Sequence, residues 1–397
     1  MISNFLNSGS LHEIFQVSLS FRFTREYRDG LLLRVASNAA LYPIKLPIFR
    51  IYRRGVSSSR SPVVKLLDYI FYLIEYIPVT IANLILLIRL FHRIKPDILH
   101  INNGGYPGAL SCRMAVIAAR VTGVRNIVFV VNNIAVDYKH PYRWLDILVD
   151  RLVVRYTSFF VTGSYVAISH LKSILKIPDA RAINLPNGVG LREISETRKE
   201  TLSRLGFADF GGTIFGVISA MEPRKGHLHL FQSIKSLIES NQNTKNFIIL
   251  VEGSGGICDS LTRFVEDNDL SQVIRFIGSE NQVFNFISAI DVLIFPSTHG
   301  EDFPNVISEA MALSKPVIAT RVGGTTEQLL DNHTGFLVEV DSVTELSGAI
   351  LKLIQEPSRI EVMGKRGQER YFERFTVEKS IENYVQLYTN LLNLSKK

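Results

Sequence analysis

Glu301 and Glu309 stand eight positions apart in the stretch FPSTHGEDFPNVISEAMALSKPVIAT, Phe295 to Thr320. The stretch reads as the end of a buried strand (Val292 to Phe295), a polar loop, a short helix and a new apolar strand from near Pro316. Pro304 suits the first helical turn, where a missing N–H costs nothing. The free amides around Asn305 and Val306 then point at the loop and form an anion site. Carboxylates accept hydrogen bonds from sugar and ribose hydroxyls while amides hold a diphosphate, which is the demand of a nucleotide sugar. The pair alone also fits a plainer reading: Glu309 as a carboxylate favoured near a helix start, Glu301 as a solvated loop residue. A second polar group is Arg224-Lys225, just before Gly226 and a helix predicted over 227–239. Cations beside free helix amides bind a diphosphate and offset the charge that grows on it as a glycosidic bond breaks. The alternative is a solvated basic turn.

These residues need a frame, and the second half of the chain supplies a regular one. Strands are predicted at 214–219, 247–251, 273–277, 292–295 and 317–319, each followed by a polar or glycine-rich loop: MEPRKG, EGSGG, GSEN, STHGED and TRVGG. In an open α/β sheet, ligands bind outside the carboxyl ends of the strands. Five consecutive loops carrying Gly, Lys, Arg, Ser and Glu make that edge a binding edge, with Ser219, Gly253 and Gly278 in the first three strand ends. Glu252-Gly253-Ser254-Gly255-Gly256 lacks the spacing of a dinucleotide fingerprint, which disfavours a nicotinamide cofactor. There is no P-loop pattern, nucleophile elbow or metal-ligand spacing in the sequence. His227 and His229 read as surface or packing residues of a helix.

The first half alternates in the same way. Lys95 to Ile101 leads into a strand that ends in Asn102-Asn103-Gly104-Gly105-Tyr106-Pro107-Gly108, before an apolar helix over 109–119. Gly104 and Gly105 either let the backbone approach a ligand beside Tyr106 or form a tight strand-to-helix turn. A strand at 127–131 ends in Asn132-Asn133, and another is predicted over 153–162 before Gly163-Ser164. The class is therefore α/β with mostly parallel sheets. Further strands are predicted at 31–36 and 44–51, then a basic loop with a serine run from Arg53 to Arg60. Tyr69 to Ile88 is twenty residues with one charge, Glu75. Its length admits a membrane span. Glu75, Pro78, Asn83 and the strand that follows fit better with a helix packed on a sheet, or one lying in a membrane interface. In the interfacial case Arg89, Arg93 and Lys95 favour an anionic surface.

Composition narrows the class. At 397 residues, 46% apolar and 20% charged, the chain suits two ordered domains. Two cysteines in no metal or redox spacing indicate a reducing, cytoplasmic setting, and residues 1–20 lack the pattern of a secretory leader. Residues 1–187 hold 23 Lys and Arg against 10 Asp and Glu, a net +13, while the remainder is −6. A basic half implies an anionic partner. No aromatic-basic recognition motif accompanies the charge, so anionic lipid fits better than nucleic acid.

The residues of the second half resemble the retaining glycosyltransferases of family 4, whose GT-B architecture has two Rossmann-like domains facing across a cleft. The likeness lies in PNGV (186–189), EPRKGH (222–227), EGSG (252–255), IRFIG (274–278), Glu301 with Glu309, EAMA (309–312), KPVIAT (315–320), GGTTE (323–327) and TGFLV (334–338). In the first half KPDILH (95–100) and GSY (163–165) are similar. The resemblance implies an acceptor-binding domain over 1–187, a donor-binding domain over 188–375 and a terminal helix over 376–397 crossing back to the first. It implies Lys225 on the donor diphosphate, Glu301 on the transferred sugar, Glu309 on the ribose, amides of Phe303, Pro304 and Asn305 near the phosphates, and Gly278 near the base. It further implies transfer with retention, without metal or cofactor, to a glycan or lipid-linked acceptor in cell-surface polysaccharide or lipopolysaccharide synthesis, at the inner face of the membrane. Rival readings are a nucleotide-sugar 2-epimerase and a non-catalytic binding protein of the same fold. The chain departs from the pattern at Ala220, where the family carries an arginine that Arg224 replaces in this reading. It departs again at Asn132 and Asn133, where many members carry a histidine, and the family's first glycine-rich loop is reduced to Gly9-Ser10.

Overall fold

The computed structural model describes residues 2–35, 39–49, 62–139, 143–240, 246–280 and 282–395. The predicted loop Arg53 to Arg60 lies outside them. The chain divides into two compact units. The first comprises 1–162, 168–185 and 381–397; the second comprises 163–167 and 186–380.

In the first unit, β1 (Ser18–Arg22) and β2 (Ala40–Ile44) form a small parallel sheet. β3 (Ile98–Asn103), β4 (Asn126–Val131), β5 (Phe159–Thr162) and β6 (Ala182–Asn184) follow as a parallel four-stranded sheet in that order. β4 is buried along its whole length, as expected of a central parallel strand covered on both faces. Three sequence expectations fail here, the last of them in part. Residues 31–32 of the predicted strand 31–36 end a helix, Arg25–Leu32, opened by the Thr24 cap; the strand of this region is 40–44, residues 45–49 follow it outside any strand, and residues 36, 50 and 51 of the two predictions lie outside the described residues. The predicted strand over 153–162 is a helix, Ile147–Tyr156, followed by the short β5. The cause is tertiary. Asp150, on the inner face of that helix, accepts from the Tyr106 and Tyr138 hydroxyls at 2.7 and 2.8 Å. It also pairs with Arg143 at 3.0 Å, and neighbouring Asp146 pairs with Arg113 at 2.6 Å.

The predicted helix over 69–88 is longer, Pro62–Ile94, with Pro78 inside it. Tyr72, Tyr76, Asn83, Leu87 and Phe91 are buried on one face, packed with the core around β3 and β4. Among the described residues this is the one helix long and apolar enough to cross a membrane. In the C-terminal helix, Tyr388 lies within hydrogen-bond reach of His100 of β3, at 2.5 Å.

The second unit is built on six parallel strands: β7 (Thr213–Ile218), β8 (Phe247–Glu252), β9 (Ile274–Gly278), β10 (Val292–Phe295), β11 (Val317–Thr320) and β12 (Gly335–Val338). Their order is β12-β11-β10-β7-β8-β9. Chain order runs outward from β7 to one edge and from β10 to the other, so the sheet has a switch point between β7 and β10. The apolar runs FIILV and VLIF are buried on both faces beneath helices on either side.

Candidate active site

Arg224 and Lys225 follow β7 and Glu301 follows β10, so all three stand at the carboxyl edge of the two strands that flank the switch point. That crevice is where doubly wound sheets seat ligands. Arg224 Nη1 and Lys225 Nζ both donate to Oε1 of Glu301, at 2.9 and 2.7 Å. The Glu301 side chain is 9% exposed, Lys225 13% and Arg224 31%. Among the described residues no partner falls on Oε2, which leaves that oxygen to accept from a ligand. Lys225 also sits 5.4 Å from the centre of the Phe295 ring.

Three loops meet backbone to backbone to hold this cluster. Thr298 N–H donates to the Arg224 carbonyl at 2.7 Å, joining the loops after β7 and β10. Gly226 has φ +71°, and a Cβ there would lie 1.8 Å from the Pro296 carbonyl oxygen. Gly323, after β11, has φ +52° and would place a Cβ 1.7 Å from the Glu301 carbonyl oxygen. Both positions therefore demand glycine.

Ser219, Gly253 and Gly278 come together one strand over. Gly253 N–H donates to Gly278 O at 2.8 Å, and its α-carbon packs against the Ser219 carbonyl. Ser219 Oγ is 3.2 Å from Nε2 of His227, a buried histidine whose pKa falls to about 4 through burial and the nearby Lys225 charge. His227 is thus a neutral packing residue, as expected. His227 Nδ1 and Ser297 Oγ are buried polar atoms without a partner among the described residues.

The helix that carries Glu309 is Asn305–Ala312, and Pro304 is its extended N-cap rather than its first turn, one position from expectation. Asn305 and Val306 still offer the first amides. Burial raises the Glu309 carboxyl, and Arg192 is the cation that pulls it back. Phe303 turns its ring into the core, edge-on to Phe375 at 5.4 Å, so only its backbone is offered to a ligand.

Asp302, beside Glu301, is a buried acid that the spacing of the sequence does not single out. It accepts from Gly163 N–H at 2.9 Å and from the Ser164 hydroxyl at 2.6 Å, and burial pushes its carboxyl up to about 6. Glu252 is likewise buried, raised by burial, and accepts from Glu280 N–H at 2.9 Å. For Glu252 the available signal was an acid at a strand end directly before a glycine; Asp302 carries no such local signal.

In the first unit, Gly104 is exposed and Gly105 half-buried at the end of β3, beside the Asn133 side chain. Asn132 Nδ2 donates to Asn102 Oδ1 and Asn103 O at 2.8 and 3.0 Å. Tyr106 requires correction as an acceptor-side residue. It is 1% exposed and its hydroxyl belongs to Asp150, so the ring is part of the core. Among the described residues no group of three or more His, Cys, Asp and Glu is gathered as a metal ion would need.

Residues 206–370 match the family model Glycosyl transferases group 1. The second unit is a group 1 glycosyl transferase domain. Over the longer chain, similarity extends to the UDP-Gal:alpha-D-GlcNAc-diphosphoundecaprenol alpha-1,3-galactosyltransferase of Escherichia coli, 24% identical over 78% of this chain and 79% of that protein. The capsular polysaccharide biosynthesis glycosyltransferase CapM of Staphylococcus aureus is 24% identical over 80% of this chain and 82% of its own. Among solved structures, Anabaena HepE in complex with UDP and glucose superposes with a TM-score of 0.70 at 17% identity, covering 93% of this chain and 90% of that one. The fold is GT-B, with two Rossmann-like units, as the motifs around the group 1 domain implied.

Proposed function

We propose that this chain transfers a sugar from a nucleotide-sugar donor to a glycan or lipid-linked acceptor in the synthesis of a cell-surface polysaccharide or glycolipid. The observation that carries the reading is the convergence of Lys225 and Arg224 on one oxygen of Glu301 at the sheet's switch point. The donor diphosphate lies against the two cations and the first amides of the helix at Asn305. Glu301 takes hydroxyls of the sugar, Glu309 those of the ribose, and the paired loops at Gly253 and Gly278 lie near the base. As the C1–O bond to the diphosphate breaks, negative charge grows on the departing oxygen, and Lys225 and Arg224 stabilise it. The acceptor oxygen bonds to C1 on the face the diphosphate leaves, and its proton passes to the departing phosphate oxygen. Configuration at C1 is retained, and no metal is required.

The acceptor belongs with the basic first unit, at Gly104, Gly105, Asn132 and Asn133. A relative that acts on a diphosphoundecaprenol-linked sugar supports a lipid-linked acceptor, and neighbours holding UDP support a nucleoside-diphosphate donor. The reading places the chain in the cytoplasm, at the membrane's inner face. Its test is a transfer assay with purified protein, a panel of nucleotide sugars and a sugar–diphosphate–lipid acceptor, with the product's anomeric configuration read by NMR. Release of nucleoside diphosphate that depends on acceptor, with retained configuration, is expected. Conversion of the donor to an epimer without acceptor, or no turnover across the panel, would overturn the proposal.

A further inference from the structure

The helix Pro62–Ile94 has two apolar faces, and the core of the first unit uses one. Tyr72, Tyr76, Val79, Asn83, Leu87 and Phe91 point inward. Ile70, Ile74, Ile77, Ile81 and Ile85 are 43, 64, 66, 51 and 44% exposed. At 3.6 residues per turn these five isoleucines share a line whose centre lies roughly 150° around the axis from the buried face, and it runs about 23 Å. An isolated exposed isoleucine needs no explanation, but a continuous row of five does.

The row is purely aliphatic. Protein-binding surfaces concentrate Tyr, Trp, Met and Arg at their centres, and none of these stands in it. Cations gather where it ends. Arg89 continues the exposed side of the helix, and Arg93 and Lys95 follow. The Arg93 guanidinium lies 5.9 Å from the Tyr42 ring of β2, the strand after which exposed Lys45 follows. Between Ile70 and Ile94 the sequence holds one acid, Glu75, and residues 1–187 carry a net +13. A greasy ridge bordered by basic side chains suits the boundary between acyl chains and anionic headgroups. A full span is a poor fit, because it would strip Tyr72, Tyr76, Leu87 and Phe91 out of the unit's own core.

We infer that the Ile70–Ile85 row is a docking surface for an anionic lipid bilayer, holding the first unit on the membrane by shallow insertion. The inference concerns where the chain sits and does not rest on the donor chemistry.

The experiment is vesicle flotation of the full chain, with and without phosphatidylglycerol in a phosphatidylcholine bilayer, at low and high salt. It is repeated with the variant Ile74→Ser/Ile77→Ser/Ile81→Ser. The wild type floats with the anionic vesicles and less with neutral ones, and high salt weakens the association. The triple variant loses at least about tenfold in partitioning, since it removes the aliphatic groups that would enter the bilayer. Its circular-dichroism melt and its binding of a nucleoside diphosphate stay unchanged, which separates this result from any failure of the donor site. No flotation of the wild type, or flotation that survives the three substitutions, would overturn the inference. So would resistance to carbonate extraction, which marks a span, or a dimer in sedimentation velocity that the variant dissociates without change in flotation.

Discussion

Replacing Glu301 by alanine separates what holds the site together from what binds the ligand. In the free protein one carboxylate oxygen takes charge-assisted hydrogen bonds from Lys225 at 2.7 Å and Arg224 at 2.9 Å. Such bonds are worth about 1.5–3 kcal/mol each when buried. Lys225 is well covered and Arg224 is 31% exposed, so its share is screened. A combined loss of about 2 kcal/mol follows, or a melting point lower by roughly 4–8 °C for a unit of this size. Binding should move the other way. Freed of their carboxylate, the two cations meet a diphosphate with less competition, so a nucleoside diphosphate alone binds as well as to the wild type or better. The sugar loses its acceptor, so the extra affinity of the nucleotide sugar over the bare diphosphate disappears, and transfer falls about 10²–10³-fold. Lys225→Ala gives the opposite pattern, weakening the bare diphosphate about 30-fold through loss of one ionic contact. Calorimetric titration of both variants with a nucleoside diphosphate and its sugar, beside melting curves, reads all four quantities. If Glu301→Ala weakens the bare diphosphate as much as Lys225→Ala does, the division of labour argued here is wrong.

Asp302 gives a pH test. Its folded pKa of about 6 lies above the ordinary carboxylate value of 3.8, so the folded state holds its proton more tightly. The stability from this group is full below the unfolded pKa and is lost as pH rises through 6. The advantage of wild type over Asp302→Asn in urea unfolding should therefore shrink by up to about 3 kcal/mol between pH 4 and 7; a gap that is flat or widens contradicts the assignment. Gly323→Ala, with its Cβ driven to 1.7 Å from the Glu301 carbonyl oxygen, should cost at least about 2 kcal/mol in chemical denaturation and weaken nucleotide-sugar binding as well. Treatment with EDTA followed by gel filtration should leave transfer unchanged, whereas loss restored by added divalent ion would argue against a metal-free reaction.

Much of the second unit was legible because its strands are buried on both faces and read as short unbroken apolar runs, each closed by a glycine or polar loop. The strand at 292–295 and the helix at 227–239 fall where the pattern puts them, and the strand predicted over 317–319 runs one residue longer, to Thr320. The places of Lys225 and Glu301 were legible for the same reason, since each lies in a polar loop that follows a buried strand; their pairing through Glu301 Oε1 was not, because it joins residues 76 positions apart. Less could be read where long-range pairing overrides local pattern. Val153-Val154 looks like strand, yet Asp150 and its partners Arg143, Tyr106 and Tyr138 hold the segment as helix, and no local signal names those partners. Tyr106 shows the same limit. Beside glycines at a strand end it looked available to a ligand, but its hydroxyl is taken by a residue 44 positions away. Asp302 escaped notice because burial, which sets its character, is not written in the residues beside it.

Lys225 and Arg224 are proposed to grip a nucleoside diphosphate in the second unit. A thermal-shift panel of nucleoside diphosphates on the intact chain tests it most directly. At a hundredfold excess over Kd the right ligand adds about 2.7 kcal/mol and raises the melting point by roughly 5–10 °C, and the double variant Arg224→Ala/Lys225→Ala shows no such rise. A panel in which no nucleoside diphosphate shifts the wild type, or one that shifts the double variant equally, would contradict it.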